Sequence, residues 1–258
     1  MASRAPKAKQ AAGEPPQTLT FEDIASSKPF RFTVGPQKRE FTIHPALVAN
    51  QSLALERLVN GNFKEAQECH SELESVDEET FIYFIQFAYT GSYGYKSPLP
   101  EKAILMGDED SDSTPSSLPG SRVFRNNVSA IEVPKGESYF LAAPGLKKEP
   151  DNAFLSHAKV FIFADFRGVA RLRGLALQRL GNMLKGAQLT GPDEVVEDVA
   201  ELMEYCYEEP RPVDLTKLLS LYAACKVNKL WRSETFRDVF SQHKELSLSL
   251  VGAMVQTA

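Results

Sequence analysis

The chain has 258 residues and a formal net charge of -5, with 43% hydrophobic and 24% charged residues. These proportions suit one globular domain or two small ones, and the acidic balance argues against nucleic acid as a main partner, since phosphate binding wants a basic footprint. Three cysteines, Cys69, Cys206 and Cys225, are too few and too scattered for a disulfide framework or a zinc site, and each is expected to act as a small buried hydrophobe.

Residues 1–20, MASRAPKAKQAAGEPPQTLT, carry positive charge with no apolar stretch behind it, unlike a secretory signal. An intracellular protein, cytoplasmic or nuclear, is therefore expected, and the sequons at Asn50 and Asn127 are read as chance. Rich in Ala, Pro, Lys and Gln and without periodicity, residues 1–26 are expected to form a disordered tail, with order beginning near Phe30.

Alternation then sets in. FRFTV places Phe30, Phe32 and Val34 on one face, EFTIH does the same with Phe41 and Ile43, and GPQK between them is turn material, so a β-hairpin is expected. Pro45, after His44, suits the first position of a helix. Leu47, Leu53, Leu55, Leu58 and Val59 form apolar rows broken near Asn50-Gln51, which predicts two short helices ended by Gly61. A short strand over residues 70–73 follows, and Asp77 offers an N-cap for the next helix.

That helix carries FIYFIQFAYTGSY. Crossing a membrane takes about 20 apolar residues, and this run is interrupted by Gln86 and closed by Gly91. It is expected to be a central helix with Phe81, Phe84, Ile85 and Ala88 facing the sheet and other helices. Residues 96–152 are rich in Pro, Ser and Asp and are expected to form a flexible insertion.

Helical patterning returns at 153. Gly168 separates two helices, the second with the inward row Val169, Leu172, Leu175, Ala176 and Leu180. Pro192 opens another with the row Val195, Val199, Leu202 and Cys206, and Asp214 and Ser233 are expected to cap two more. Arg167, Arg171 and Arg173 are spaced like one helix face and are read as a solvated face.

Motifs that would mean chemistry fail on their particulars. Asp108, Asp110 and Asp112 have the spacing of a calcium loop, but Ser113 and Pro119 stand where glycine and a bidentate glutamate are required. Gly181 and Gly186 have phosphate-loop spacing, but Ala187 and Gln188 replace the lysine and hydroxyl residue. His44, His70, His157 and His243 lie in separate elements without metal-ligand spacing. No serine or cysteine sits in a nucleophile context. Leu146-Lys147-Lys148-Glu149 matches a sumoylation-type pattern too short to be specific. No cofactor, metal or catalytic residue is expected.

The run from Phe30 to Tyr93 resembles the BTB/POZ domain, its fungal branch in particular. The matching positions are Val34-Gly35, Phe41, His44, Leu47, Ser52, Leu55, Gly61, Phe63, Glu65, Asp77, Thr80, Phe81, Phe84 and Tyr89-Thr90-Gly91 with Tyr93. HAKVFIFADFRGVARLRGLALQRL is similar to the helix pair that follows in such domains. The resemblance covers residues 27–95 and 153–186, split by the 96–152 insertion, with a C-terminal helical extension over 187–258.

An α+β fold is thereby implied: a BTB/POZ fold with a small β-sheet capped by a helical cluster, followed by additional helices. Phe32, Phe41, His44, Phe81, Phe84, Tyr89, Gly91 and Ala164 are its expected structural core. The resemblance also implies a non-enzymatic module that self-associates or joins another BTB protein. Phe63, Lys64 and Glu65 would form the partner-binding segment, a hydrophobic-x-Glu form that in some members meets a cullin scaffold of a ubiquitin ligase. Alternatively, Phe63 staples the helix end to the core and Glu65 is a surface charge. A regulatory scaffold or transcription-associated factor that associates without a ligase is the second functional expectation. Ser27-Lys28-Pro29 stands where many members carry an acid before the first strand, a departure from the charged pocket of co-repressor-binding members.

Overall fold

The computed structural model describes residues 19–94, 119–133, 151–187, 189, 194–208 and 212–257. The first of these segments corrects the expected tail, because residues 21–26 are helical. The side chain of Thr20 accepts a hydrogen bond from the amide of Asp23, and the Asp23 carboxylate accepts from the Thr20 amide at 2.9 Å. This reciprocal cap satisfies donors that a helix start leaves open and sets α1 (Phe21–Ser26).

Strands β1 (Phe30–Val34) and β2 (Arg39–Ile43) pair antiparallel with Phe30 opposite Ile43 and Val34 opposite Arg39. Alternation does what it predicts: Phe30, Phe32 and Val34 are buried while Arg31 faces out. Strand β3 (His70–Leu73) adds to β1 in parallel, giving the order β2-β1-β3. A parallel neighbour demands a crossover, supplied here by α2 (Pro45–Ala49), α3 (Leu53–Asn60) and α4 (Lys64–Glu68). Ser52 caps α3 through its hydroxyl, at 3.1 Å from the Leu55 amide. Gly61 ends it where a Cβ would lie 2.2 Å from the Arg57 carbonyl oxygen, so no larger residue fits.

Helix α5 (Glu78–Thr90) starts at Asp77, whose carboxylate accepts from the Thr80 amide, and stops at Gly91 in the left-handed region (φ 73°). Its aromatic run is core. The Phe81 ring lies 5.1 Å from Phe32, 5.5 Å from Phe41 and 5.8 Å from Phe84, joining the helix to the sheet. Tyr83 and Phe87 are buried as well, whereas Ile85 is half-buried.

Helices α7 (Ala153–Arg167) and α8 (Ala170–Gly186) form a packed pair hinged at Gly168 (φ 69°). Helices α9 (Glu194–Tyr207), α10 (Val213–Leu230), α11 (Glu234–Gln242) and α12 (Lys244–Thr257) build on this pair. Asn152 links the two groups, capping α7 through its side-chain oxygen and donating through Nδ2 to the Asp198 carbonyl and to Glu201. The chain is thus mixed α+β and mostly helical, with a small three-stranded sheet. In the second-helix row Leu175 is half-buried while Val169, Leu172, Ala176 and Leu180 are buried, and Val195 is likewise half-buried at the start of α9.

Two further expectations need correction. Within the expected flexible insertion, Pro119–Ser129 form helix α6, which packs against α10, α12 and α8. Phe124 and Val128 are buried, the Phe124 ring lies 5.3 Å from Tyr222, and a Cβ at Gly181 would come 3.0 Å from Val128. The acidic run 108–112, the motif 146–149 and Pro192 lie outside the described residues. Asp214 does not cap α10, because the helix already begins at Val213 with Pro212 before it. Its carboxylate is instead drawn to the Arg173 guanidinium on α8.

Candidate functional site

Phe63 occupies the N-cap position of α4, with an extended backbone (ψ 162°) and no side-chain capping bond. Serine, threonine, asparagine and aspartate are the residues that stabilise this position, and an aromatic ring there satisfies none of the open amides. Phe63 is 62% exposed, so most of its surface faces away from the core. Lys64 is exposed and lies 3.7 Å from Glu68, while Glu65 is half-exposed in the first turn. Phe63, Lys64 and Glu65 together present an apolar anchor beside one carboxylate.

Of the expected core residues, Phe32, Phe81, Phe84 and Ala164 are buried, whereas Phe41, His44, Tyr89 and Gly91 are half-buried around them. His44 does not use its ring to cap α2. Its Nδ1 lies 2.8 Å from the Tyr89 hydroxyl, tying the end of β2 to the last turn of α5.

A buried polar cluster was not apparent from sequence. The Tyr93 hydroxyl lies 3.0 Å from Nδ1 of His157, and the Arg179 guanidinium lies 4.6 Å over the Tyr93 ring and donates to Ser92 at 2.9 Å. Burial, with the Arg179 charge second, pulls His157 down to about 3. Burial also pushes the Tyr93 phenol above its ordinary value. Both shifts favour the neutral forms, and the cluster joins the segment after α5 to α7 and α8.

The arginines expected to form one solvated face have separate fates. Arg173 bridges Asp165 and Asp214 and stacks at 5.2 Å on Phe161. Its Nε lies 2.6 Å from Asp165 Oδ1, although the N–H is not aimed at the oxygen, so the contact is an ion pair and not a hydrogen bond. Arg171 lies over the Phe87 ring. Arg167 is half-buried and stacks on the exposed Phe166.

Cys206 and Cys225 are buried, as expected of small hydrophobes, while Cys69 is half-buried and takes a left-handed backbone (φ 49°) to end α4. Among the described residues, no cluster of three His, Cys, Asp or Glu side chains is placed to hold a metal ion, and no helix is long and apolar enough to cross a membrane. No protein-family model and no curated protein matches the chain.

Proposed function

We propose that the chain is a non-enzymatic protein-association module of the BTB/POZ type, which associates with itself or a related chain and acts as a substrate adaptor for a cullin-RING ubiquitin ligase. One observation carries the reading: at Phe63 an exposed aromatic ring stands where a polar cap would stabilise α4. A residue that works against its local structure points to a role outside the fold. Flanked by Glu65, the ring offers a buried-anchor-plus-charge contact of the kind that dominates protein interfaces. A small sheet with a helical cluster beside it, with the hairpin first and the aromatic helix after the third strand, is compatible with this reading.

A pull-down with the BTB-binding domain of a cullin, comparing the wild type with a Phe63→Ala, Glu65→Ala double variant, tests the adaptor role. Loss of binding by the folded variant is expected. Retained binding would sink the site, and no binding by the wild type would sink the ligase role.

A second reading is an association scaffold or transcription-associated factor working without a ligase; the self-association that both readings share is supported by Phe21, which is 79% exposed on α1. Such a ring at the N-terminal end suits burial against a second copy. Light scattering after gel filtration separates an associated wild type from a monomeric Phe21→Ser variant, and a monomeric wild type would remove self-association.

A further inference from the structure

We infer that the corner where α7 turns into α8 is a second docking surface, built to take a segment of a partner protein that carries a carboxylate next to an apolar side chain. The corner is a pinned surface. The Ser52 hydroxyl donates to the Arg167 carbonyl oxygen at 2.6 Å, and Gly168, whose Cβ position lies 3.8 Å from the Ser52 Cβ, turns the chain in the left-handed region. On each side of this bond one neighbouring residue is apolar and turned outward: Leu53 is 61% exposed and Phe166 is 79% exposed. Each is next in sequence to a residue of this bond, so exposed apolar surface stands on both segments that the bond joins.

The charge beside the patch selects the occupant. The Arg167 guanidinium lies 5.2 Å from the Phe166 ring, has no carboxylate partner among the described residues, and has its Nε shut off from solvent without an acceptor. Burial pulls this group below its ordinary range, and no nearby acid offsets that pull. Arg173, on the following helix, is in contrast bridged by Asp165 and Asp214. A half-buried guanidinium without a counter-charge is costly, and a partner carboxylate would complete it while the partner's apolar side chain covers Phe166 and Leu53.

A second copy of this chain is the weaker occupant, because a two-fold contact centred here would set Arg167 against Arg167. Nucleic acid is also the weaker one, since one guanidinium at this corner of a chain of net charge -5 makes no phosphate track. The surface is independent of Phe63. The two flank α3, whose eight residues span about 12 Å.

The test is selection of a phage-displayed random peptide library on the full chain, followed by fluorescence polarisation of the recovered peptides on the wild type and on Arg167→Gln, Phe166→Ser and Phe63→Ala. Recovered peptides are expected to carry Asp or Glu within a turn of an aliphatic or aromatic residue. Their binding should weaken about tenfold or more in Arg167→Gln and in Phe166→Ser. Because Ser52 bonds to the backbone of Arg167, both variants should keep the corner intact, and an unchanged far-ultraviolet spectrum and melting temperature would establish this. Peptides lacking acids, no enrichment, or binding insensitive to Arg167→Gln would each overturn the inference. Peptides lost in Phe63→Ala but retained in Arg167→Gln would overturn it while supporting the Phe63 surface, and Arg167-dependent binding of a single-stranded oligonucleotide would overturn it in favour of a phosphate ligand.

Discussion

The hydroxyl of Tyr93 lies 3.0 Å from Nδ1 of His157, a residue 64 positions further along, and both side chains are buried. The bond fastens the chain just beyond α5 to the first turns of α7, and the Arg179 guanidinium closes the cluster from α8. Because His157 is buried and faces a positive charge, its folded form titrates at about 3 against the ordinary value of 6.5. The unfolded chain therefore takes up a proton first as the pH falls. The neutral-histidine contribution to stability is present above 6.5 and is lost progressively between 6.5 and about 3. A loss of about 2 kcal/mol by pH 5 is expected. Urea midpoints at pH 7 and pH 5 should fall apart in the wild type and draw closer together in His157→Gln. Parallel acid losses in the two proteins would place the sensitivity elsewhere.

Phe81 is 1% exposed and its ring meets Phe32, Phe41, Phe84 and Phe163, from both strands of the hairpin, its own helix and α7. Truncation leaves a void among rigid rings, so Phe81→Ala should cost about 3–5 kcal/mol. Phe81→Asp buries a charge with no partner and should abolish cooperative unfolding altogether. A circular-dichroism melt that remains cooperative at the wild-type temperature in Phe81→Asp would show that this ring is not the joint between sheet and helices.

These core relations were legible because they are written in short-range patterns. Alternation marked Phe30, Phe32 and Val34, Asp77 announced its helix, and Gly91 and Gly168 announced ends. Helix α1 carried its own signal in Thr20 and Asp23, but an aspartate in place of the usual capping-box glutamate made it easy to pass over. Helix α6 sits in a stretch whose Pro, Ser and Asp content reads as loop, and what orders Phe124 is Tyr222, far away in sequence. The roles of Arg167 and Arg173 differ for the same reason. Sequence alone reads them as one face, but positions six apart point to different sides of a helix and Gly168 ends α7 between them; the packing of α10 brings Asp214 to Arg173 and leaves Arg167 without an acid among the described residues.

The placement of α6 gives a direct measurement. Phe124 is 4% exposed against Tyr222, whose hydroxyl is itself buried without a partner among the described residues. Phe124→Ala should lower the unfolding free energy by about 3 kcal/mol, and the protease sensitivity of residues 119–133 should rise with it. If the segment were a loop resting loosely on the surface, the change would stay within about 0.5 kcal/mol and proteolysis would be unaffected.

Phe63 allows stability and association to be pulled in opposite directions. Its backbone already has the extended form of an N-cap and its side chain makes no capping bond, so Phe63→Asp puts an acceptor beside the open amides of α4 and a negative charge at its positive end. Because the ring is 62% exposed, little burial is lost. The variant should be more stable than the wild type by about 0.5–1 kcal/mol in urea titration. Its binding to a cullin or other protein partner should nevertheless fall at least tenfold, as expected for removal of an aromatic anchor. An aromatic residue whose replacement strengthens the fold and weakens the complex is held in place by the complex. A variant that is less stable than the wild type would instead assign the ring to the fold, and one that binds as tightly would remove Phe63 from the interface.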